Sequence, residues 1–476
     1  MRIERDALGE MEVPDEAYYG SQTQRAIENF PISGIKPHRQ MIRAIGLVKL
    51  AAAETNMSLG VLPMRVGESI AEAAKEVAEG KWNDQFVVDV FQAGAGTSFN
   101  MNANEVIANR ALELLGRPRG DYGAIHPNDD VNASQSTNDV FPTVMRIAAL
   151  TLIHDLLVPK LMRLEEDLRA KSVEFDKIVK SGRTHLQDAV PIRLGQEFSG
   201  YAEAVLHGIE SISESARYLH RLNIGATAVG TGINSHPEYR ERVVRRLREL
   251  TGLPLKPAEN LFEVTQSMAD FARVSSALRG VALELIRISG DLRLLSSGPR
   301  TGLAEINLPA VQPGSSIMPG KVNPSIAEMV SMVCFQVVGN DLAIAMATQA
   351  GQLELNVMMP VIAHNLLQSV EILGNAAKVF SQKCVRGITA NEAKCKEYAE
   401  KSVALVTALS PKIGYVKAAE IAKESIKTGK GLLEVARQRL DLPEDELKKV
   451  LEPIHLTYPS NGGVAGNSEH ITKVGN

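Results

Sequence analysis

Residues 264–295 read VTQSMADFARVSSALRGVALELIRISGDLRLL, and this stretch decides the fold. Apolar side chains recur along it at steps of four and three, and they are Val264, Met268, Phe271, Val274, Leu278, Val281, Leu285, Ile288, Leu292 and Leu295. The steps average about 3.5 residues, so these side chains share one face of a helix. A face sustained over so many turns is typical of helices that lie nearly parallel in a bundle.

A second stretch repeats the pattern. Its apolar residues are Leu194, Phe198, Tyr201, Val205, Ile209, Ile212, Ala216 and Leu219. Several helices of roughly 30 residues, each about 45 Å long, have more apolar surface than a lone bundle hides. We therefore expect an all-α fold whose long-helix bundle is buried against other subunits.

The character of the sequence changes twice along its 476 residues, a length that exceeds what one core usually supports. We expect a mostly helical N-terminal domain over residues 1–138, a central long-helix bundle over 139–395, and a small C-terminal helical domain with a frayed tail over 396–476. At the N-terminus, charged and apolar residues alternate from Arg2 to Val13 around a Leu-Gly pair, which predicts a short hairpin.

Composition excludes several classes of function. The net charge is −4, and the 52 basic and 56 acidic residues are well mixed, so there is no basic field for nucleic acid. The charged N-terminal segment lacks the apolar core of a signal peptide, and no uninterrupted apolar run reaches the roughly 18 residues of a membrane span. We expect a soluble, cytoplasmic protein that binds neither nucleic acid nor membrane. The cysteines, Cys334, Cys384 and Cys395, are odd in number and lack CxxC spacing, so neither a disulfide framework nor a zinc site is indicated.

The densest chemistry lies in residues 314–324, GSSIMPGKVNP. Its glycines allow unusual backbone conformations, and its prolines limit how many of them the loop samples. The apolar-rich run from Ser325 to Val338 predicts a helix directly afterwards, and Lys321 beside the N–H groups of that helix start favours an anion. A phosphate-binding loop is disfavoured, because five residues separate Gly314 from Gly320 where that motif has four. On the residues alone, an ordinary connection between helices stays open.

Two further stretches combine glycine, hydroxyl and amide residues. Residues 92–104 read QAGAGTSFNMNAN and include Thr97, while residues 131–142 read VNASQSTNDVFP and include Ser136, Thr137 and Asn138. Such side chains can hold a carboxylate without a fixed charge. Capping of a following helix explains each stretch equally well. Together with the lysine of the loop, and without a metal motif, they favour a small dianion as ligand.

The loop at 314–324 resembles the signature loop of the aspartase/fumarase superfamily, whose members eliminate a group from C2 of a succinyl compound to release fumarate. Four more stretches match the family, at residues 92–104, 131–142, 181–191 and 223–234, so the resemblance spans nearly the whole chain. It implies a homotetramer whose long helices form a common core and whose active sites are each built from three chains. It implies no cofactor.

The resemblance also implies the catalytic residues. Ser315, the first serine of the loop, corresponds to the catalytic base. Residues 181–191, SGRTHLQDAVP, contain His185, which by itself reads as a structural residue in a loop. The family places this histidine in the active site, oriented by a glutamate that corresponds to Glu328. A carboxylate on one imidazole nitrogen fixes the tautomer and leaves the other nitrogen for the substrate.

The remaining roles concern the substrate. Removal of the C3 proton of aspartate puts a second negative charge on the C4 carboxylate, so hydrogen-bond donors must converge there. By the family pattern, Thr97, Ser136 and Thr137 hold this C4 carboxylate; Thr184, Lys321 and Asn323 hold the C1 carboxylate; Asn138 and His185 face the amino group. Serine is a weak base, so Ser315 requires activation by the amides and the cation of a closed loop.

The subfamily depends on the leaving group. Motifs AYYG, GKWNDQF, GAGTSFNMN, STND and GATAVGTG resemble aspartases, which release ammonia from L-aspartate. Motifs QTQRA, HPNDDVN, AHNLLQSV and IGYVKAAEIAK resemble class II fumarases, which hydrate fumarate to L-malate. Because the motifs that carry the site residues side with the first group, aspartate ammonia-lyase is the expected activity and class II fumarate hydratase is the alternative.

Overall fold

Helices make up most of the chain in the computed structural model, which describes residues 1–459. The α-helices are, in chain order, α1 (Ser21–Asn29), α2 (Arg39–Ser58), α3 (Met64–Ala78), α4 (Thr97–Leu114), α5 (Thr137–Leu152), α6 (Val158–Glu174), α7 (Leu194–Ala216), α8 (Tyr239–Thr251), α9 (Leu261–Gln266), α10 (Ala269–Leu295), α11 (Ser325–Gln349), α12 (Met359–Lys383), α13 (Glu392–Lys401), α14 (Ser410–Ile413), α15 (Tyr415–Thr428), α16 (Leu432–Arg439) and α17 (Glu444–Val450).

The strands of the described residues form only two-stranded sheets. They are β1 (Arg2–Asp6), β2 (Gly9–Val13), β3 (Val179–Thr184), β4 (Gln187–Arg193), β5 (Arg221–Leu222), β6 (Lys256–Pro257), β7 (Ile306–Asn307) and β8 (Thr389–Ala390). β1 pairs antiparallel with β2, which confirms the N-terminal hairpin. With so little sheet, the all-α fold class is confirmed.

Both predicted apolar faces are buried, since every one of their residues is less than a tenth exposed. The first face is nevertheless divided between two helices, because Val264 belongs to α9 and α10 begins only at Ala269. The break falls at Ser267, whose Oγ accepts the N–H of Ala269 at 3.3 Å. A serine in this position satisfies a free N–H at a helix start and so favours a new helix over continuation of the old one.

The chain divides into two compact units, each assembled from three separate segments. Unit 1 comprises Met1–Lys160, Gly208–Leu283 and Met332–Asn375, and unit 2 comprises Leu161–His207, Glu284–Ser331 and the chain from Ala376 onward. The three-domain division stays a prediction. The tail that was expected to be frayed falls largely on residues 460–476, outside the described residues.

Two helical stretches, Thr137–Glu174 and Ser325–Gln349, are long and apolar enough to cross a membrane by length and composition alone. Of the most apolar window in the first, 78% is buried within the chain, as in the core helices of many globular proteins. The second window is only 39% buried. Its exposed apolar side chains, here called the α11 apolar face, are Met332, Phe335, Leu342 and Met346.

Candidate active site

The predicted site residues fall into two groups, one in each unit. Unit 1 contains Thr97, Ser136, Thr137 and Asn138. Unit 2 contains Thr184, His185, Ser315, Lys321, Asn323 and Glu328. Each group has its own local scaffold.

Ser136 begins α5 as a capping residue. Its Oγ accepts the N–H of Asn138 at 3.2 Å, and its own N–H donates to Oδ1 of Asp139 at 2.9 Å, which completes a capping box. Oδ2 of Asp139 accepts the N–H groups of Gly225 and Thr227, both at 2.9 Å. Burial raises the pKa of Asp139 to about 7. The capping explanation therefore holds for Ser136, and within residues 1–459 its hydroxyl proton meets no acceptor.

Thr137 and Asn138, the next two residues, are half-buried and each makes one side-chain bond. Oγ1 of Thr137 accepts a hydrogen bond from Nδ2 of Asn100 at 2.9 Å. Nδ2 of Asn138 donates to the carbonyl oxygen of Ala228 at 2.8 Å. The glycine-rich turn at residues 223–234 thus holds the start of α5, and the adjacent hydroxyls are held in place while they stay accessible.

Thr97 is the first residue of α4, and its exposed side chain donates to the carbonyl oxygen of Gly94 at 3.1 Å. The preceding residue, Gly96, has a φ of 80°, in the left-handed region that favours glycine. A Cβ atom there would lie 2.1 Å from Cδ2 of Phe141, on α5. Because no larger residue fits, Gly96 allows the start of α4 to pack closely against α5.

A buried polar network lies next to these hydroxyls, and the sequence reasoning missed it. Lys49, on α2, is fully buried, and its Nζ donates to Oδ1 of Asn132 at 2.8 Å and to Oε1 of Gln135 at 3.0 Å. Oδ1 of Asn132 also accepts from Nδ2 of Asn100 and of Asn104, each at 3.3 Å. Burial lowers the pKa of Lys49 to about 7. The available signal was a single lysine inside GLVKLAAA, because a charge on a buried helix face needs partners.

In unit 2, the stretch at 181–191 is a β-hairpin rather than the expected loop. Thr184 pairs with Gln187 across a two-residue turn formed by His185 and Leu186, with φ of 56° and 58°. Positive φ at both central residues is the mark of a type I′ turn, which usually contains Asn or Gly. For other residues such conformations cost of order 1–3 kcal/mol each, and they cluster at functional sites.

The hairpin is anchored by buried ion pairs. Nη1 of Arg183 donates to both carboxylate oxygens of Glu305, at 2.9 and 3.0 Å, and Nζ of Lys180 lies 3.1 Å from Oε2 of the same carboxylate. Glu305 is fully buried. These contacts hold β3 and leave Thr184 and His185 exposed at the tip, where a ligand or another chain can reach them.

The loop at 314–324 is closed on itself by its own backbone, because the N–H of Gly314 donates to the carbonyl oxygen of Lys321 at 2.7 Å. Oγ of Ser315 accepts the N–H groups of Ile317 and Met318, at 3.2 and 3.0 Å. Two amide donors on one hydroxyl oxygen stabilise negative charge there.

Lys321 and Asn323 contact each other in this loop. Nζ of Lys321 donates to Oδ1 of Asn323 at 2.8 Å, and Nδ2 of Asn323 donates to the carbonyl oxygen of Gly314 at 2.7 Å. Glu328 lies in the first turn of α11, which follows the loop as predicted. In the described part of the chain, Glu328 shares no hydrogen bond or ion pair with His185, so its orienting role stays a prediction.

The chemistry available is that of neutral donors together with one cation. Three of the predicted residues, Ser136, Thr137 and Asn138, meet at the start of α5, and three more, Ser315, Lys321 and Asn323, share one loop. Hydroxyls, amides and a lysine suit a dicarboxylate ligand. Among residues 1–459, no group of three or more His, Cys, Asp or Glu side chains could hold a metal ion.

The chain matches two family models. One is described as Lyase and matches residues 9–339, and the other is described as Fumarase C C-terminus and matches residues 405–458.

Relatives match along nearly the whole length. An aspartate ammonia-lyase of Bacillus sp is 51% identical over 466 residues, which cover 98% of this chain and 99% of the relative. A class II fumarate hydratase of Halobacterium salinarum is 52% identical over 457 residues, with 96% of this chain and 97% of the relative covered. The crystal structure of a fumarate lyase:delta crystallin from Brucella melitensis, bound to cobalt, superposes with a TM-score of 0.93 at 49% identity, over 96% of this chain and all of that one.

Proposed function

Because the chain belongs to this lyase family, we propose that it is an aspartate ammonia-lyase, which eliminates ammonia from L-aspartate to give fumarate in a reversible reaction. The similarity to aspartate ammonia-lyases makes it a carbon–nitrogen lyase. The observation that carries the proposal is the 51% identity to the Bacillus enzyme over 98% of the chain. The motifs around the site residues support it, since they resemble aspartases.

In the proposed reaction, Oγ of Ser315 takes the C3 proton. The electron pair of the C–H bond forms the double bond between C3 and C2, and ammonia leaves C2 with the electrons of the C–N bond. Negative charge passes through the C4 carboxylate, and Thr97, Ser136 and Thr137 donate hydrogen bonds to it. Donors that are held in place before the reaction, as Ser136 and Thr137 are, cost little reorganisation when the charge develops, whereas the hydroxyl of Thr97 must first leave the carbonyl oxygen of Gly94.

Ser315 acts as the base because its alkoxide is stabilised within the loop. Its Oγ accepts two backbone N–H groups, from Ile317 and Met318, and hydrogen bonds to the charged form of a group favour that form. Closure of the loop over the substrate brings its cation near and excludes water.

The C1 carboxylate binds Lys321, Asn323 and Thr184. Lys321 and Asn323 also bind each other within the loop, so the C1 carboxylate competes with that internal bond. Asn138 and His185 face the leaving amino group, and Glu328 orients the imidazole from its position at the start of α11.

We also propose that the enzyme is a cytoplasmic homotetramer in which three chains contribute to each active site. The α11 apolar face supports this assembly, because Met332, Phe335, Leu342 and Met346 are each more than half exposed in the single chain. Contiguous exposed apolar side chains of this kind mark interaction surfaces. Neither nucleic acid nor a membrane is a partner in this proposal.

A class II fumarate hydratase is the second candidate, favoured by the 52% identity to the Halobacterium enzyme. One experiment separates the two. Purified protein is supplied with fumarate and ammonium, or with fumarate in water alone, and the product is identified by NMR. L-Aspartate formed only with ammonium supports the proposal, L-malate supports the hydratase, and the absence of both products contradicts both.

A further inference from the structure

Four side chains of unit 1 form a continuous set of hydrogen bonds between a buried lysine and a hydroxyl of the proposed site. Nζ of Lys49 donates to Oδ1 of Asn132 at 2.8 Å. Nδ2 of Asn100 lies 3.3 Å from the same oxygen and 2.9 Å from Oγ1 of Thr137. Lys49, Asn100, Asn132 and Thr137 are here called the Lys49 relay.

Two contacts orient the Asn132 amide and so set the direction of the bonds in the relay: its Nδ2 donates to the carbonyl oxygen of Gln135 at 3.2 Å, and its Oδ1 faces the lysine. Nζ of Lys49 faces two oxygens, Oδ1 of Asn132 and Oε1 of Gln135, and a lysine side chain can donate both bonds in either protonation state, so the carbonyl oxygen of Asn132 faces it. That oxygen can then meet Asn100 only through the NH₂ group of Asn100. The same NH₂ group also donates to Oγ1 of Thr137, so the threonine oxygen accepts that hydrogen bond. Its own proton is left free to point away from the protein interior.

We propose that Lys49 is a positioning residue that keeps the hydroxyl proton of Thr137 available to a carboxylate of the substrate. The inference deepens the proposed function, on which the identity of that substrate rests. The two groups need no direct contact, because the amides of Asn132 and Asn100 carry the orientation from one to the other.

The relay contains groups whose burial is unfavourable. Lys49 is fully buried without a carboxylate in hydrogen-bond contact, and Oδ1 of Asn100 and Oδ1 of Asn104 have no partner among residues 1–459. If the Asn132 and Asn100 amides turned over together, Oδ1 of Asn100 would accept the Thr137 proton. That turn gives up the bond from Nδ2 of Asn132 to the carbonyl oxygen of Gln135. Removal of the lysine lowers the remaining cost of the turn, and the threonine proton then points inward. An apolar residue at position 49 would avoid the cost of burying a lysine, so packing alone does not account for the lysine.

The test is a double-mutant cycle between Lys49→Met and Thr137→Val. Two quantities are measured for each variant: the kcat for fumarate, and the affinity for succinate, an unreactive dicarboxylate, by calorimetry. Thr137→Val removes the donor, and a loss of about a hundredfold in kcat is expected. Lys49→Met alone is expected to lower kcat about tenfold and to weaken succinate binding. In the Thr137→Val background, Lys49→Met should change either quantity less than twofold.

Three further variants serve as replacements and controls in this test. Asn132→Leu takes the place of Lys49→Met in the cycle if the latter fails to fold, and Asn132→Asp, which keeps an acceptor for Lys49 and for Asn100, should retain succinate binding. Lys171→Met removes another buried lysine, in unit 2, whose Nζ binds the carbonyl oxygen of Ile388 at 2.8 Å. It should lower the melting temperature without changing the affinity for succinate.

The outcomes are distinct for the two proposals. Losses that multiply in the double variant mean that Lys49 acts by general stability, which overturns the relay. A second outcome is that the two substitutions together weaken succinate binding no more than Thr137→Val does alone, in a protein that turns over neither aspartate nor malate. That result supports the relay and overturns the proposed function. A protein that binds no succinate and turns over no substrate overturns both.

Discussion

The start of α5 and the loop at 314–324 both carry proposed substrate and catalytic groups, but they are held in opposite ways. At the start of α5, Asp139 receives two amides from the turn at 223–234, and Thr137 receives one from α4, so the site groups are tied to distant parts of unit 1. In the described chain, the hydrogen bonds of residues 314–323 stay within the loop and Ser325. Ile317, in the loop, is 84% exposed.

The difference assigns different tasks to the two regions. Donors that stabilise a developing charge work best when they are fixed in advance, and the α5 start has that support. A base that must cover a small polar substrate and then release the product belongs on a segment with few outside contacts. We therefore expect substitutions at the α5 start to change stability as well as activity, and substitutions in the loop to change activity alone.

The largest expected effect is that of Ser315→Ala in the loop. Loss of the base should lower kcat at least about a thousandfold with little change in KM. Steady-state kinetics with L-aspartate measure the effect on activity, and a thermal melt measures the effect on stability. The neighbouring Ser316→Ala is the matched control, since Ser316 makes no side-chain hydrogen bond in the described chain, and its kcat should stay near that of the unsubstituted enzyme. Near-normal turnover by Ser315→Ala would remove this serine as the base.

A second substitution tests the fixed region. Gly96→Ala combines a positive φ with a Cβ atom 2.1 Å from Cδ2 of Phe141, so it should destabilise the protein by about 3 kcal/mol or more. Gly116→Ala also has a positive φ, of 72°, but its Cβ would meet open space, and about 1 kcal/mol is expected. The melting temperatures of the two variants are compared with that of the unsubstituted protein. Equal losses for the two variants would show that the contact with Phe141 yields easily.

Lys321→Ala addresses the carboxylate contact of the loop. We expect KM for L-aspartate to rise about tenfold, because a cation on the substrate is lost, and the melting temperature to stay unchanged. Lys321→Arg keeps the charge and should raise KM less. An unchanged KM in the alanine variant would mean that Lys321 does not contact the substrate.

The last test concerns the pH dependence of stability at Lys49, which changes no activity directly. Its pKa is lowered from 10.5 to about 7 by burial, against the attraction of Asp139. Between these two values the unfolded chain binds a proton at this side chain that the folded chain does not, so rising pH favours the folded state by at most about 1.4 kcal/mol per pH unit. Relative to Lys49→Met, the melting temperature of the unsubstituted protein should rise from about pH 7 to about pH 9. A difference that is constant with pH would place the Lys49 pKa outside this window.

Much of the fold was accessible from the sequence because helical periodicity is a local signal. The face from Leu194 to Leu219 predicted burial residue by residue, and Pro324 marked the start of α11. The break at Ser267 was missed, since apolar spacing continues across it while a single hydroxyl ends the hydrogen-bond ladder.

The candidate site was accessible only in part. Hydroxyl and amide clusters identified the residues that could face a dianion, and the resemblance gave them roles. The hairpin at His185 was missed, because its turn has neither of the residues, Asn and Gly, that usually announce a type I′ turn. The Lys49 relay was also missed, since Lys49 and Asn132 are distant in the sequence and meet only in the folded chain.

Each compact unit is assembled from three separate segments, and this has a consequence for synthesis on the ribosome. The last segment of unit 1 ends at Asn375. Two segments of unit 2 come before that residue in the sequence, and its third segment begins only after it. Neither unit can be completed while the nascent chain is shorter than this, so folding during translation is late, and partly made chains expose apolar helix faces. A truncation after any of the first three segments yields no intact half.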